Sequence, residues 1–341
     1  MRNKFRAVVI GAGSRAMSVI YPSLAEMTDV EIIALCDIDP ERRQAAAEHY
    51  QVKQVYGDHT LSYRDMIHDT QPDGVFAIGQ PHLFYDIWQW CLENGQNLYI
   101  EKPLALTLHQ ARSLVYLANQ HDCITAVSFQ RRKTPMVVML REKCLERGPI
   151  THAVCRFYKC EIKPNVSARD HMMDDCVHAI DTLRWICGGE VVRVESHVRR
   201  ILVPDINFIA ATLFFDNGAT GYLLNSWSSG KRLFSVEMHA PGIFAEAEHE
   251  AKGHLFADGD IAGLTFDTAQ VAGSAAFHVY TGVAALCREF VDAVHSQSNP
   301  STCFADAVKT MEVAEIILAR ATLDGMAGHE QADAPLRSRP E

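Results

Sequence analysis

Three features of the sequence predict an α/β chain in which a doubly wound parallel sheet is followed by an α+β part with an open, mainly antiparallel sheet. Apolar strand segments alternate with helical segments from Ala7 to about Phe129, the order that gives a parallel sheet covered on both faces. Beyond Gln130-Arg131-Arg132-Lys133 the apolar segments follow one another directly, and Asp216-Asn217-Gly218 is a strong hairpin signal. The length of 341 residues also exceeds one ordinary core, since single cores stop growing near ~250–300 residues. The expected divisions are 1–126, 127–328 and a Pro- and charge-rich tail at 329–341, expected to be flexible.

The first strand is the fully apolar run Ala7 to Ile10, after which Gly11-Ala12-Gly13-Ser14-Arg15-Ala16 turns into a helix carrying Met17, Ile20 and Leu24. In such a G-x-G-x-x-A pattern the first glycine permits the tight turn. The second lets a pyrophosphate approach the backbone, and the last small residue lets helix pack on strand. A phosphate would sit at the helix N-terminus, where free N–H groups and the dipole favour an anion. The second strand, Glu31 to Cys36, ends at Asp37, about 20 residues past the glycines, where a dinucleotide-binding unit carries its ribose-binding acid. Asp37, with apolar Ile38 beside it, predicts NAD over NADP, because a carboxylate repels a 2′-phosphate. Arg42 and Arg43 close by leave NADP open. Asp39 and Pro40 read as the N-cap and first residue of the next helix.

The alternation continues with a short helix at Ser62–Asp69 and a strand at Gly74–Ile78 that ends in Gly79-Gln80-Pro81. Pro81 cannot donate to a ladder and stops the strand. A helix at His82–Glu93 closes at Gly95, and the strand Leu98-Tyr99-Ile100 runs into Glu101-Lys102-Pro103. Ligands of open α/β sheets bind outside the carboxyl ends of the strands, so Lys102 is expected to point into a site. Thr107 and Gln110 form a capping-box signature for the next helix, and Ile124–Phe129 is one more strand.

In the second part His152–Ile162, Val191–Val198, Phe208–Phe215, Ala219–Trp227 and Leu233–Ala240 read as strands, and Gly282–His295 and Phe304–Asp324 as helices. The two helices are expected to cover one sheet face, leaving Tyr222, Leu224 and Trp227 for a subunit contact and hence a homodimer or homotetramer. Between the strands lies a helix from Asp174 to Gly189. At 100° per residue Asp174, His178, Asp181 and Trp185 fall on one stripe, opposite Val177, Ile180, Leu183 and Cys187. Two carboxylates and an imidazole on one face suit proton transfer, since His titrates near neutral pH. A solvated amphipathic helix with a weak Asp–His pair would show the same pattern.

Composition excludes several classes. A formal charge of −10, from 42 acids against 32 Lys plus Arg, gives no pull toward nucleic acid or anionic membranes. The 10 cysteines include no CxxC pair, so neither a metal site nor a disulfide framework is expected and the thiols read as reduced. No leader is expected at the N-terminus and no apolar run approaches the ~20 residues of a membrane helix. A cytoplasmic location is expected.

Gly11-Ala12-Gly13-Ser14-Arg15-Ala16, Gly79-Gln80-Pro81, Glu101-Lys102-Pro103 and Asp174-x-x-x-His178-x-x-Asp181, in this order and with the closing helix pair, resemble the Gfo/Idh/MocA oxidoreductases, the glucose–fructose oxidoreductase and inositol dehydrogenase family. The resemblance implies a Rossmann domain, a second domain that often forms the oligomer interface, and oxidation of a secondary hydroxyl on a sugar, cyclitol or related polyol. It implies that Lys102 polarises the reacting hydroxyl, His178 is the general base and Asp174 positions substrate or base. Gly11, Gly13, Ser14, Arg15, Ala16, Asp37, Ile38, Arg42, Gly79, Gln80, Pro81, Glu101, Lys102 and Gln130 would surround NAD. Cys176 stands where the family usually has a glycine, which would narrow the pocket, and Tyr85 where it has a histidine. Lys159, Lys163, Arg169, His171 and Asp175 are further candidates for the pocket. The family also holds glycosidases that use bound NAD for transient oxidation, and non-catalytic regulators. Retention of both the lysine and the histidine favours an enzyme.

Overall fold

The computed structural model describes residues 4–326, so the flexible tail expected at 329–341 lies outside the described residues. The chain divides into two units, Met1–Pro135 with Ala272–Lys309, and Met136–Val271 with Thr310–Glu341.

The first unit is built on six parallel strands, β1 (Phe5–Ile10), β2 (Val30–Cys36), β3 (Gln54–Tyr56), β4 (Gly74–Ala77), β5 (Leu98–Ile100) and β6 (Thr125–Val127), in the order β3-β2-β1-β4-β5-β6. Strand order reverses between β1 and β4, the switch point at whose carboxyl edge ligands bind in this architecture. β1, β4, β5 and β6 are buried along almost their whole length, which is why they read as unbroken apolar runs rather than alternating ones.

The helix Val283–Ser296 belongs to this unit and does not cover the second sheet as expected. Its buried stripe of Val283, Leu286, Cys287, Phe290 and Val294 joins the core made by Phe5, Val9, Phe76 and Tyr99. Phe290 meets Phe76 and Tyr99 edge-on at 5.3 and 5.8 Å. Gly74 gives that ring room, since a Cβ there would lie 3.1 Å from Phe290 Cε1 and 2.7 Å from Phe5 Cζ. Periodicity shows that a helix has an apolar face; which sheet receives it is a matter of tertiary packing.

The second unit is built on an eight-stranded sheet. Its strands are β7 (His152–Cys160), β8 (Val191–Arg199), β9 (Phe208–Phe215), β10 (Thr220–Ser226), β11 (Ser228–Ala240), β12 (Ile243–Glu248), β13 (Lys252–Ala257) and β14 (Leu264–Asp267), in the order β14-β13-β12-β11-β7-β10-β9-β8. Only the central pair β7 and β10 is parallel. β9 and β10 form the expected hairpin, with Gly218 at a positive φ of 85°. β12 to β14 were not anticipated, because their inward residues include Ala245, Ala247 and Gly253, which carry little strand preference of their own.

The inner face of this sheet packs against the helices Pro135–Leu145 and Val177–Cys187. On the other face Tyr222 is 41% exposed and Leu224 half-buried. Trp227 corrects the expectation that grouped it with them. It lies an odd number of residues from Tyr222, so the strand's two-residue period turns it inward, where it is 1% exposed.

Candidate functional site

In the first unit the glycine loop has the form expected of a phosphate cradle. Gly11 has φ +104°, and a Cβ there would come 2.4 Å from the Ile78 carbonyl oxygen, whereas a Cβ on Gly13 would meet nothing within 4 Å. The first glycine therefore satisfies a local steric demand, and the second leaves the backbone open to a ligand. The following helix opens with a π turn, Ala16–Ile20, in which the Tyr21 N–H reaches the Ala16 carbonyl.

Asp37 is fixed by two backbone donors. Its Oδ2 accepts the Ala12 N–H at 2.6 Å and its Oδ1 the Asp39 N–H at 2.8 Å. The acid thus braces the glycine loop, and each oxygen keeps a lone pair for a further donor. Ile38 beside it is 69% exposed. Arg42 pairs with Asp39 at 3.2 Å. Arg43 donates to the Gly57 carbonyl at 2.6 Å and to Asp58 at 2.8 Å, so its guanidinium already has partners.

At the end of β5, Glu101 is 6% exposed and accepts a hydrogen bond from Arg15 Nε at 2.9 Å. This ion pair joins the G-x-G-x-x-A segment to the Glu-Lys-Pro turn. Lys102 follows, half-buried, with a cis peptide bond to Pro103. Gln130, just past β6, is 7% exposed, and its Oε1 has no hydrogen-bond partner among the described residues. Such a buried acceptor calls for a ligand or water. Gly79 lies under a residue the sequence reading did not single out: a Cβ there would come 2.1 Å from the Phe84 ring. The signal that could have found Phe84 is an aromatic in the first turn after the Gly-Gln-Pro loop. Pro81 opens the helix Pro81–Glu93, with Gln80 as its N-cap. Tyr85 is half-buried, its hydroxyl 3.5 Å from the Gln110 carbonyl.

In the second unit the helix expected from Asp174 to Gly189 belongs to a longer helical stretch in three pieces: Ala168–His171, a π turn at Met172–Cys176, and Val177–Cys187 closing at Gly188 with φ 70°. Asp174 is exposed and His178 is 6% exposed. The expected polar stripe is shorter than its sequence. Asp181 is 1% exposed and accepts a hydrogen bond from Thr310 Oγ1 at 3.2 Å, and Arg184 Nη1 donates to the same hydroxyl at 2.9 Å. Asp181 therefore serves helix packing.

Asp175 is 5% exposed; its Oδ2 accepts from Trp227 Nε1 at 2.7 Å and pairs with Lys159 Nζ at 2.7 Å. His171 stacks on Trp227 at 4.2 Å, and burial holds its pKa below the ordinary histidine value. Arg169 is held by both oxygens of Glu315, and Lys163 lies 4.0 Å from Glu161. Cys176 is fully buried, so the residue expected to narrow the pocket sits in the core. Burial also pushes the Cys36 thiol up to about 12 and the Cys123 thiol up to about 11, values that leave neither as a thiolate nucleophile at neutral pH. Among the described residues no group of His, Cys, Asp and Glu could hold a metal ion, and no helix is long and apolar enough to cross a membrane.

A family model for the oxidoreductase family with an NAD-binding Rossmann fold matches residues 5–129, and one for the Gfo/Idh/MocA C-terminal domain matches residues 153–240. The chain belongs to the Gfo/Idh/MocA oxidoreductase family. Among relatives, an uncharacterized oxidoreductase, YrbE, of Bacillus subtilis is 25% identical over 64% of this chain and 66% of its own length. An inositol 2-dehydrogenase/D-chiro-inositol 3-dehydrogenase of Lacticaseibacillus casei is 28% identical over 55% of this chain and 54% of its own length. A D-glucoside 3-dehydrogenase of Escherichia coli is 30% identical over 56% and 57%. The chain thus matches a little over half to about two thirds of these relatives' length. A dehydrogenase structure from Chromobacterium violaceum superposes with a TM-score of 0.84 at 22% identity, covering 96% of this chain and 98% of that one. Levoglucosan dehydrogenase in complex with NADH and levoglucosan superposes with a TM-score of 0.78 at 19% identity, covering 94% and 98%.

In this Gfo/Idh/MocA chain the first unit is an NAD-binding Rossmann domain, and its residues fit the cofactor: an open backbone at Gly13, an acid at the end of β2 and an orphan acceptor at Gln130.

Proposed function

We propose that this chain is an NAD-dependent dehydrogenase that reversibly oxidises a secondary hydroxyl of a sugar, cyclitol or related polyol. The observation that carries the proposal is the 2.9 Å bond between Arg15 of the glycine loop and Glu101, the residue before Lys102, which supports a position for Lys102 near the cofactor. The proposal assigns Lys102, Asp174 and His178 as the catalytic set. It places Gly11, Gly13, Ser14, Arg15, Ala16, Asp37, Ile38, Arg42, Gly79, Gln80, Pro81, Glu101, Lys102 and Gln130 at the cofactor. NAD, when bound, supplies the hydride acceptor. The Lys102 ammonium favours the alkoxide form of the substrate hydroxyl, since a nearby opposite charge stabilises the charged state. His178 takes the hydroxyl proton. Asp174, one turn earlier, orients the imidazole or the substrate. The inositol and glucoside activities named for the relatives support a polyol with adjacent secondary hydroxyls.

The test is a panel of inositols, glucosides, anhydrosugars and sugar acids, scored by NADH absorbance with NAD and with NADP. NAD should be preferred because a 2′-phosphate against Asp37 costs at least ~1–3 kcal/mol, the penalty for an imperfectly satisfied polar pair. Asp37→Ser should narrow the gap. Equal use of NADP would sink the cofactor preference. Glycoside cleavage without net NADH would sink the dehydrogenase reading.

We further propose a homo-oligomer formed through the open face of the eight-stranded sheet. A groove of about 540 Å³ on that face is lined by Val154, Ala210, Thr212, Tyr222 and Leu224 among others, an apolar strip of the kind normally covered by a partner. Light scattering at micromolar concentration should return a multiple of the 38.0 kDa chain; a single-chain mass refutes it.

A further inference from the structure

We propose that Asp175, Lys159 and Trp227 form a clamp that sets the register of the π turn that bears Asp174 and leads into the helix that bears His178. The clamp rests on the reading of those two residues as catalytic. The turn Met172–Cys176 is a local departure from the α-helix, closed by the Val177 N–H reaching back to the Met172 carbonyl. Such single turns are rare, cluster at functional sites and need tertiary support.

Asp175 supplies the support. It is the one acid of the turn that is buried, and a single oxygen, Oδ2, holds both the indole N–H and the lysine ammonium, each at 2.7 Å. Trp227 is itself anchored to the sheet: its N–H donates to the Asn207 carbonyl at 3.0 Å and its carbonyl accepts the Glu161 N–H at 2.8 Å. Its ring stacks on His171, four residues before Asp175, at 4.2 Å. His171 and Asp175 therefore both face the sheet at Trp227, and that contact leaves Asp174, one residue back, exposed on the other side. Lys159 is the inner-face neighbour of Phe157 on β7, with its side chain only 15% exposed. A buried carboxylate needs such a cation. The three residues act through the turn and are positioning residues.

The test compares Trp227→Phe, which keeps the ring and removes the donor, with the double variant Lys159→Met/Asp175→Leu, which removes the tether and both charges without stranding either. Wild type and His178→Ala run alongside. Two readouts are taken: hydrogen exchange of the 172–178 backbone by mass spectrometry, and kcat and KM for NAD-linked oxidation of the best inositol or glucoside in the panel. Both clamp variants should fold, bind NAD normally and exchange faster within 172–178. The double variant should lose ~10–100-fold in kcat with little change in KM, the scale expected when reacting groups shift by about 1 Å. Trp227→Phe should fall between it and wild type. If the double variant does not fold, Trp227→Phe alone decides. Unchanged exchange, or unchanged kcat beside an inactive His178→Ala, overturns the clamp alone. An active His178→Ala overturns the base assignment and the clamp with it.

Discussion

Replacing His178 with Ala is expected to lower turnover by ~10²–10⁴-fold, the range for loss of a general acid–base group, while the protein still folds and binds NAD. The physical reason is the position of the ring. His178 is 6% exposed in a helix flanked by Val177, Ala179 and Ile180, each fully buried, so its imidazole is held rather than free to rotate in solvent. A held base contributes mainly by having the acceptor in place before the proton leaves. Since the loss is in the chemical step, kcat and kcat/KM should fall together, the pattern for an interaction made only in the transition state. Part of any stability loss would come from truncating a buried side chain, so melting temperature and NAD affinity must be measured on the same preparation. Near-normal turnover in His178→Ala would remove the base assignment and move it to Asp174.

Lys102→Ala is expected to cost at least ~10²-fold in turnover, comparable to removal of one oxyanion donor. Lys102 follows the fully buried strand β5, and the preceding Glu101 is tied to Arg15. The backbone at Lys102 is thereby fixed at the carboxyl edge of the sheet, and in the proposed role little reorganisation would be needed when charge develops on the substrate oxygen. Lys102→Arg should recover only part of the activity, because a planar guanidinium does not replace a compact ammonium at one oxygen. Steady-state kinetics on the same substrate as for His178→Ala decide the matter. If Lys102→Ala raises KM and leaves kcat unchanged, the lysine binds substrate without stabilising the transition state.

Much of the first unit was legible because its signals are local. A buried parallel strand must be apolar throughout, a tight phosphate loop must carry glycine, and an N-cap such as Asp39 must accept the first free N–H groups, here those of Glu41 and Arg42. The hairpin at Asp216-Asn217-Gly218 and the strand Phe208–Phe215 are local in the same sense. The π turn was not legible. A stripe drawn at 100° per residue assumes an unbroken α-helix, and nothing in Met172–Cys176 by itself announces the extra residue in the turn. Asp181 was misplaced for a related reason, since its partner Thr310 is far along the chain. Lys159 and Asp175, two of the residues the sequence offers as pocket candidates, pair with each other, a contact that no local pattern announces.

What the sequence by itself determined was therefore the alternation of strands and helices in the first unit, the glycine cradle with its acid at Asp37, and the residue types able to move a proton or stabilise an alkoxide. These follow from steric limits on single residues and from periodicities that need no knowledge of neighbours. Only the tertiary structure decided that the helix Val283–Ser296 serves the Rossmann core, that Trp227 points inward, and that the turn bearing Asp174 is tethered through Asp175 to Lys159 and Trp227. Each of these joins residues distant in sequence. An apolar stripe or a buried charge states that it needs a partner, and which one it finds is fixed only when the whole chain has packed.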